Sequence, residues 1–190
     1  MRIPYRNLTS ENADISTEES AIIDRIKQRR LPRPWQPLDL ALLHSPAVAD
    51  GWNSFIGAIR TRTSLDDLVR EIAISRVAVV NEAWYEWGHH APLGQAAGLS
   101  EEGLKVLRKS QLPEESECRG KLSQREWLVA AVSDAMSRSV KVPEDLFDAL
   151  KGNFSNQQIV ELAATVAAYN CVSRFLVALN VGEMNGMAPP

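Results

Sequence analysis

The stretch that most limits how this chain folds is its last long apolar segment, "SNQQIVELAATVAAYNCVSRFLVALNV", residues 155 to 181. It reads as one helix, and Leu162, Val166, Ala167, Val172, Phe175, Leu176 and Leu179 spread apolar groups nearly all round it. A helix on the surface of a domain shows one polar face, so this one needs cover on every side. It belongs either at the centre of one chain's core or between subunits. In a chain of only 190 residues the second is the expectation, and with it a homo-oligomer.

The remaining segments also read as helices. "STEESAIIDRIKQRR" opens with a capping Ser or Thr and early acids, and "LPRPWQP" breaks it, because three prolines in six residues cannot continue a helix. "SPAVADGWNSFIGAIR" restarts with Ser45 as cap and Pro46 in the first turn. "TSLDDLVREIAISRVAVVN" follows, with Thr63 or Ser64 expected to cap it; "LSEEGLKVLRK" is capped by Ser100. "SQREWLVAAVSDAMSR" and "PEDLFDALKG" precede the long helix, and "GEMNGMAPP" reads as a frayed tail. The expectation is a single all-α domain over 1–190. It comprises an N-terminal helix and Pro-rich connector (1–37), a first half (38–110), a polar loop, and a C-terminal helical half (123–182).

Composition narrows function more than it names it. Lys plus Arg is 21 against 24 Asp plus Glu, a formal net charge of −3, which offers no general footprint for nucleic acid or an anionic membrane. One basic run, Arg25, Lys27, Arg29, Arg30 and Arg33, is read as a solvated face helped by the helix dipole, with an anionic partner as the alternative. Cys118 and Cys171 lie too far apart in sequence for a CxxC pair, and two cysteines cannot build a four-ligand zinc site. With no apolar leader and no unbroken apolar run of about 18 residues, a cytoplasmic protein is expected.

The densest chemistry lies in "NEAWYEWGHH", residues 81 to 90. On one unbroken helix Glu71 and His90 would stand about 28 Å apart. A turn near Asn81 to Trp84 would fold "YEWGHHAPLGQAAG" back on "REIAISRVAVV" and bring Glu71, Glu86 and His90 together; Asn tolerates the backbone angles that end helices. Glu82, Glu86 and His90 at four-residue spacing allow a metal stripe on a continuous helix, but only His44 remains as a further histidine, and no metal is expected.

"REIAISRVAVVNEAWYEWGHHAPLGQAAGLSEEGL" resembles the carboxymuconolactone decarboxylase-like family, related to the alkyl hydroperoxide reductase D-type peroxidases. "PLDLALLHSPAVADGWNSFIGAIRTRTSL" and "YNCVSRFLVAL" are similar in style to its decarboxylase-like members. The peroxidase branch carries Glu, eleven residues, Cys, two residues, Cys, three residues, His. Here the glutamate is Glu71 and the histidine His90, while Ala83 and Glu86 stand at the cysteine positions. Neither can attack a peroxide or resolve the product, so thiol peroxidase chemistry is disfavoured. The resemblance implies the family's helical fold, a trimer or hexamer, and an acid–base site.

Its catalytic residues would be His90, Glu86 and Glu71, with Glu86 fixing the imidazole's tautomer and Glu71 joining directly or through water. Tyr85, Trp87, Arg76, Trp52, Asn53 and Arg60 are the candidate substrate-binding residues. Arg76 sits in an aliphatic helix and needs an acid, either Glu82, Glu86 or a substrate carboxylate. His89 points about 100° from His90 and is read as a rim residue. The expected reaction is cofactor-independent decarboxylation of a small carboxylated lactone or β-keto acid. Isomerisation, dehydration or cyclisation by the same groups, and ligand binding without catalysis, are the alternatives.

Overall fold

A computed structural model describes residues 1–8 and 15–187. Among them ten α-helices run α1 Thr17–Arg30, α2 Pro37–Leu42, α3 Pro46–Thr61, α4 Asp67–Val80, α5 Trp84–Ala96, α6 Glu101–Leu107, α7 Glu115–Cys118, α8 Gln124–Ser139, α9 Glu144–Asn153 and α10 Asn156–Leu179. Among the described residues there is no strand. The helix starts follow their caps: Ser16, Ser100, Ser123 and Ser155 each accept from the backbone N–H three residues on. At α4 the expected cap is displaced. Asp66, not Thr63 or Ser64, accepts from Val69 N, because Ser64 is bound instead to Glu161 through both its amide and its hydroxyl. The short α2 has no counterpart in the sequence reading; Pro37, the last proline of the break, begins it, with Gln36 and Asp39 closing a capping box.

The more enclosed helix is α4, not α10. Ten of its fourteen residues are buried, from Val69 to Val79, and it packs against α5, α8 and α10. α4 belongs to the first half of the chain and α8 and α10 to the second, so both halves share one apolar core. α10 turns Leu162, Val166, Tyr169, Val172 and Leu176 inward and leaves Val160, Ala167, Cys171 and Ala178 exposed. By length and composition α10 is apolar enough to cross a membrane, which a search for an unbroken apolar run misses. Its inner side packs as a core helix on α3, α4 and α8.

A smaller apolar cluster, Ile22, Ile26, Leu42, Leu43 and Ala49, fastens α1 over α2 and α3. The tail as far as Met187 is not frayed at its base: Val181 is buried, and Glu183 holds the Met1 amine and the Tyr5 hydroxyl. The rest of the tail, residues 188–190, lies outside the described residues.

Candidate active site

The chain does double back where helix-ending residues meet. Asn81 caps α4 with its amide N–H bound to Val77 O, Glu82 takes a left-handed φ of 53°, and α5 begins at Trp84. Glu82 therefore falls outside α5, so the Glu82–Glu86–His90 stripe does not form, and His44 is elsewhere, its Nε2 2.7 Å from Pro4 O. With the turn made, His90 Nδ1 lies 2.6 Å from Glu71 Oε2, both side chains buried. A carboxylate only accepts, so Nδ1 carries the proton and donates it to Glu71; Nε2 is left as the basic nitrogen.

Glu86 plays a different part from the one expected. Its Oε1 accepts from Ser173 Oγ at 2.9 Å, and its Oε2 is buried without any partner. The tautomer of His90 is set by Glu71, not by Glu86. Burial pushes the Glu86 carboxyl well above the usual carboxylate range, outweighing the Ser173 hydrogen bond. Burial also lowers the His90 pKa, with Glu71 opposing. The same burial thus favours the protonated carboxyl and the neutral imidazole, an acid and a base lining one cavity.

A cavity of about 240 Å³ opens on these groups. Glu86, His89, His90 and Tyr85 come from α5, Trp52, Asn53 and Arg60 from α3, and Tyr169, Val172 and Leu176 from α10. Trp52 tilts against Phe175 at 5.3 Å between ring centroids, and Asn53 Oδ1 is a second buried atom without a partner. Burial pushes the Tyr85 hydroxyl up to about 12. Tyr85 is held by the turn after α10: Gly182 has φ 77°, and any β-carbon there would run into the Tyr85 ring. His89 is a rim residue, edge-on to Tyr85; its outer side is exposed, and the part of the ring turned to the cavity is covered enough that burial first, and then the neighbouring His90, lower its pKa.

Two expected binding residues are not there. Trp87 is 4% exposed and packs into the main core with Ala91, because one helical step turns it away from Glu86. Arg76 is fully buried on another side of α4. Its Nε donates to Asp134 Oδ1 at 2.7 Å and its Nη1 to the carbonyls of Leu107 and Lys109, so its acid is neither Glu82, Glu86 nor a substrate.

Other residues at the site were not anticipated. Tyr169 stands edge-on to His90, 5.0 Å between centroids, with its hydroxyl pKa raised by burial. Arg29 and Arg30 at the end of α1, and Arg33 in the connector, line the same cavity; the basic run was visible in sequence, but not that α1 folds over α3.

Comparison with known proteins agrees with this architecture. Residues 46–113 match the carboxymuconolactone decarboxylase family. No curated protein sequence matches the chain. A protein of unknown function from Agrobacterium tumefaciens, proposed to be the antioxidant defence protein AhpD, superposes with a TM-score of 0.61 at 18% identity, covering 72% of this chain and 90% of that one. An uncharacterized peroxidase-related protein from Silicibacter sp. TM1040 gives 0.71 at 15% identity, covering 94% and 91%. At such identities the likeness is one of fold. The matched segment spans α3 to α6 and so includes Glu71, Glu86 and His90; over that segment the chain is similar to the family.

Proposed function

We propose that the protein is an acid–base enzyme acting on a small carboxylated carbonyl compound, a lactone or β-keto acid, which it decarboxylates. The observation that carries this reading is the pairing of a buried Glu86 carboxyl, one oxygen unpartnered, with a neutral His90 in the same cavity. The substrate's carboxylate loses its charge on leaving as CO2, so the apolar side of the cavity, formed by Trp52, Val172 and Leu176, favours that step. The electrons of the breaking C–C bond pass to the substrate's own carbonyl, toward which the Glu86 O–H donates. Glu86 then delivers its proton to the enolate carbon, and His90 Nε2 relays a proton from solvent to reload it. No cofactor is required by this chemistry. Arg60 at the mouth, which has no carboxylate partner among the described residues, would draw in the acid.

A second reading has its own support. His90 Nε2 is unprotonated, so the same pair can remove a proton beside a carbonyl and return it elsewhere, which is isomerisation. The thiol route suggested by the names of the two structural neighbours has no nucleophile at the site. Cys118 is buried against Pro113 O, Cys171 is exposed on α10, and neither lines the cavity. The test is a panel of carboxylated lactones and β-keto acids incubated in D2O, with CO2 and solvent deuterium both followed by mass spectrometry. CO2 release that is lost in His90→Gln and Glu86→Gln supports decarboxylation; deuterium exchange without CO2 supports isomerisation. Turnover unchanged in both variants overturns the acid–base site.

A further inference from the structure

The Glu71–His90 pair forms part of the partition between two cavities. His90 lines the first; Glu71 lines a second, of about 420 Å³, which shares Arg29, Arg30, Arg33, Arg60 and Leu93 with it. The second also receives Arg70, so five guanidiniums converge from α1, the Pro-rich connector, α3 and α4. Arg29 and Arg30 share one carboxylate, Asp39, at 3.3 and 2.7 Å. Arg70 lies 2.6 Å from Asp67 and 3.6 Å from Glu71. Arg33 and Arg60 have no carboxylate partner among the described residues. Against five cations stand Asp39, Asp67 and Glu71, an excess of two positive charges.

We propose that this second cavity is a phosphoryl-binding site, which holds a phosphate group carried by the substrate whose reacting end enters the cavity beside His90. A carboxylate is planar and satisfies one guanidinium fork with its two oxygens. A phosphate monoester concentrates nearly two charges and three acceptor oxygens at one point, which matches cations gathered from four segments. The crowding is also felt by the arginines themselves: the Arg29 pKa is lowered by burial first, then by Arg30, with Arg60 and Arg33 adding to it. The basic run at the end of α1 thereby acquires a role that a solvated face would not give it. The orientation of the substrate rests on the acid–base reading above; the anion site does not.

Isothermal titration at matched ionic strength tests the site with three probes: inorganic phosphate, phenyl phosphate and benzoate. Phenyl phosphate is expected to bind at least tenfold more tightly than inorganic phosphate, through its apolar ring, and tenfold more tightly than benzoate. Arg33→Gln and Arg60→Gln, folded by circular dichroism, are expected to weaken it at least tenfold each. His90→Gln is expected to bind inorganic phosphate as the unaltered protein does, because His90 does not line the second cavity, so the anion site stands or falls apart from catalysis. Benzoate binding as tightly, or phenyl phosphate binding undiminished in both arginine variants, would overturn the site. Phenyl phosphate binding no better than inorganic phosphate would overturn the claim that the substrate carries the group.

Discussion

Two buried polar clusters, one around Arg76 of α4 and one around Glu86 of α5, are built on opposite rules. Around Arg76 every partner is supplied by the protein: Asp134 takes two of its nitrogens, and the carbonyls of Leu107, Lys109 and Ser110 take the remaining donors. Asp134 is itself steadied by Arg138 Nε at 2.9 Å. Around Glu86 the accounting is left open. Ser173 satisfies one oxygen, the other is buried with no partner, and Asn53 across the cavity has an orphaned Oδ1. A buried polar atom without a partner costs about 1–3 kcal/mol, so its persistence needs a reason outside stability. The saturated cluster is architecture, joining α4 to α8 and the loop after α6. The unsaturated one is fitted to something that arrives.

That contrast is sharpest in turnover. Replacing His90 or Glu71 by Gln should lower the rate by about 10²–10⁴, the usual worth of a positioned acid–base group, because each variant breaks the base or its tautomer. The same two variants keep a hydrogen-bonding amide in each place, so their fall in denaturation midpoint should be smaller than that of Arg76→Leu. Steady-state kinetics on the acid selected from the panel, set beside urea unfolding, checks both halves. A rate that stays within threefold of the unaltered protein would erase the distinction between the clusters.

Arg76→Leu should behave in the reverse way. Removing one partner of a buried pair leaves Asp134 and three carbonyls short of donors, a loss of about 3–5 kcal/mol. Urea unfolding reads this directly, and the rate per folded molecule should stay unchanged, since Arg76 does not line the cavity. A large fall in rate without loss of stability would mean that the side chain meets substrate after all.

The sequence carried one of these clusters further than the other. Asn81 ends an apolar run and tolerates the backbone angles that stop a helix, so the turn was legible, and with it the meeting of Glu71 and His90; the left-handed φ of Glu82 was not. That Arg76 needed an acid was legible too; which acid was not, because Asp134 lies 58 residues away and only the packing of α8 on α4 brings it in. Trp87 and Tyr85 differ by two helical steps, and nothing local says which side of α5 is core. The role of Glu86 was misjudged for a similar reason: spacing along α5 suggested a partnership with His90, whereas Ser173, 87 residues away on α10, is what it meets.

The smallest effect separates the clusters in a different way. Glu86→Met removes the orphaned oxygen at similar volume, and the freed Ser173 hydroxyl can turn to the carbonyl one turn back in α10. The variant should therefore be more stable than the unaltered protein by about 1–2 kcal/mol near neutral pH, while losing activity, as expected where a site holds a strained group for function. The gain should depend on pH in a fixed direction. The folded Glu86 pKa is raised, so the folded state holds its proton at pH values where the unfolded chain has released it. Its contribution to stability is fully present below 4.5, the ordinary value, and is lost as pH rises toward the folded one. The advantage of Glu86→Met should then be smallest near pH 4.5 and widen as pH increases. His90, with a lowered pKa, weakens the fold as pH falls below 6.5, but it is present in both proteins and cancels in the difference. Urea midpoints measured for both proteins between pH 4.5 and 8 decide it. An advantage that narrows with rising pH would mean that Glu86 is ionised in the folded protein, and the cavity would lose its proton donor.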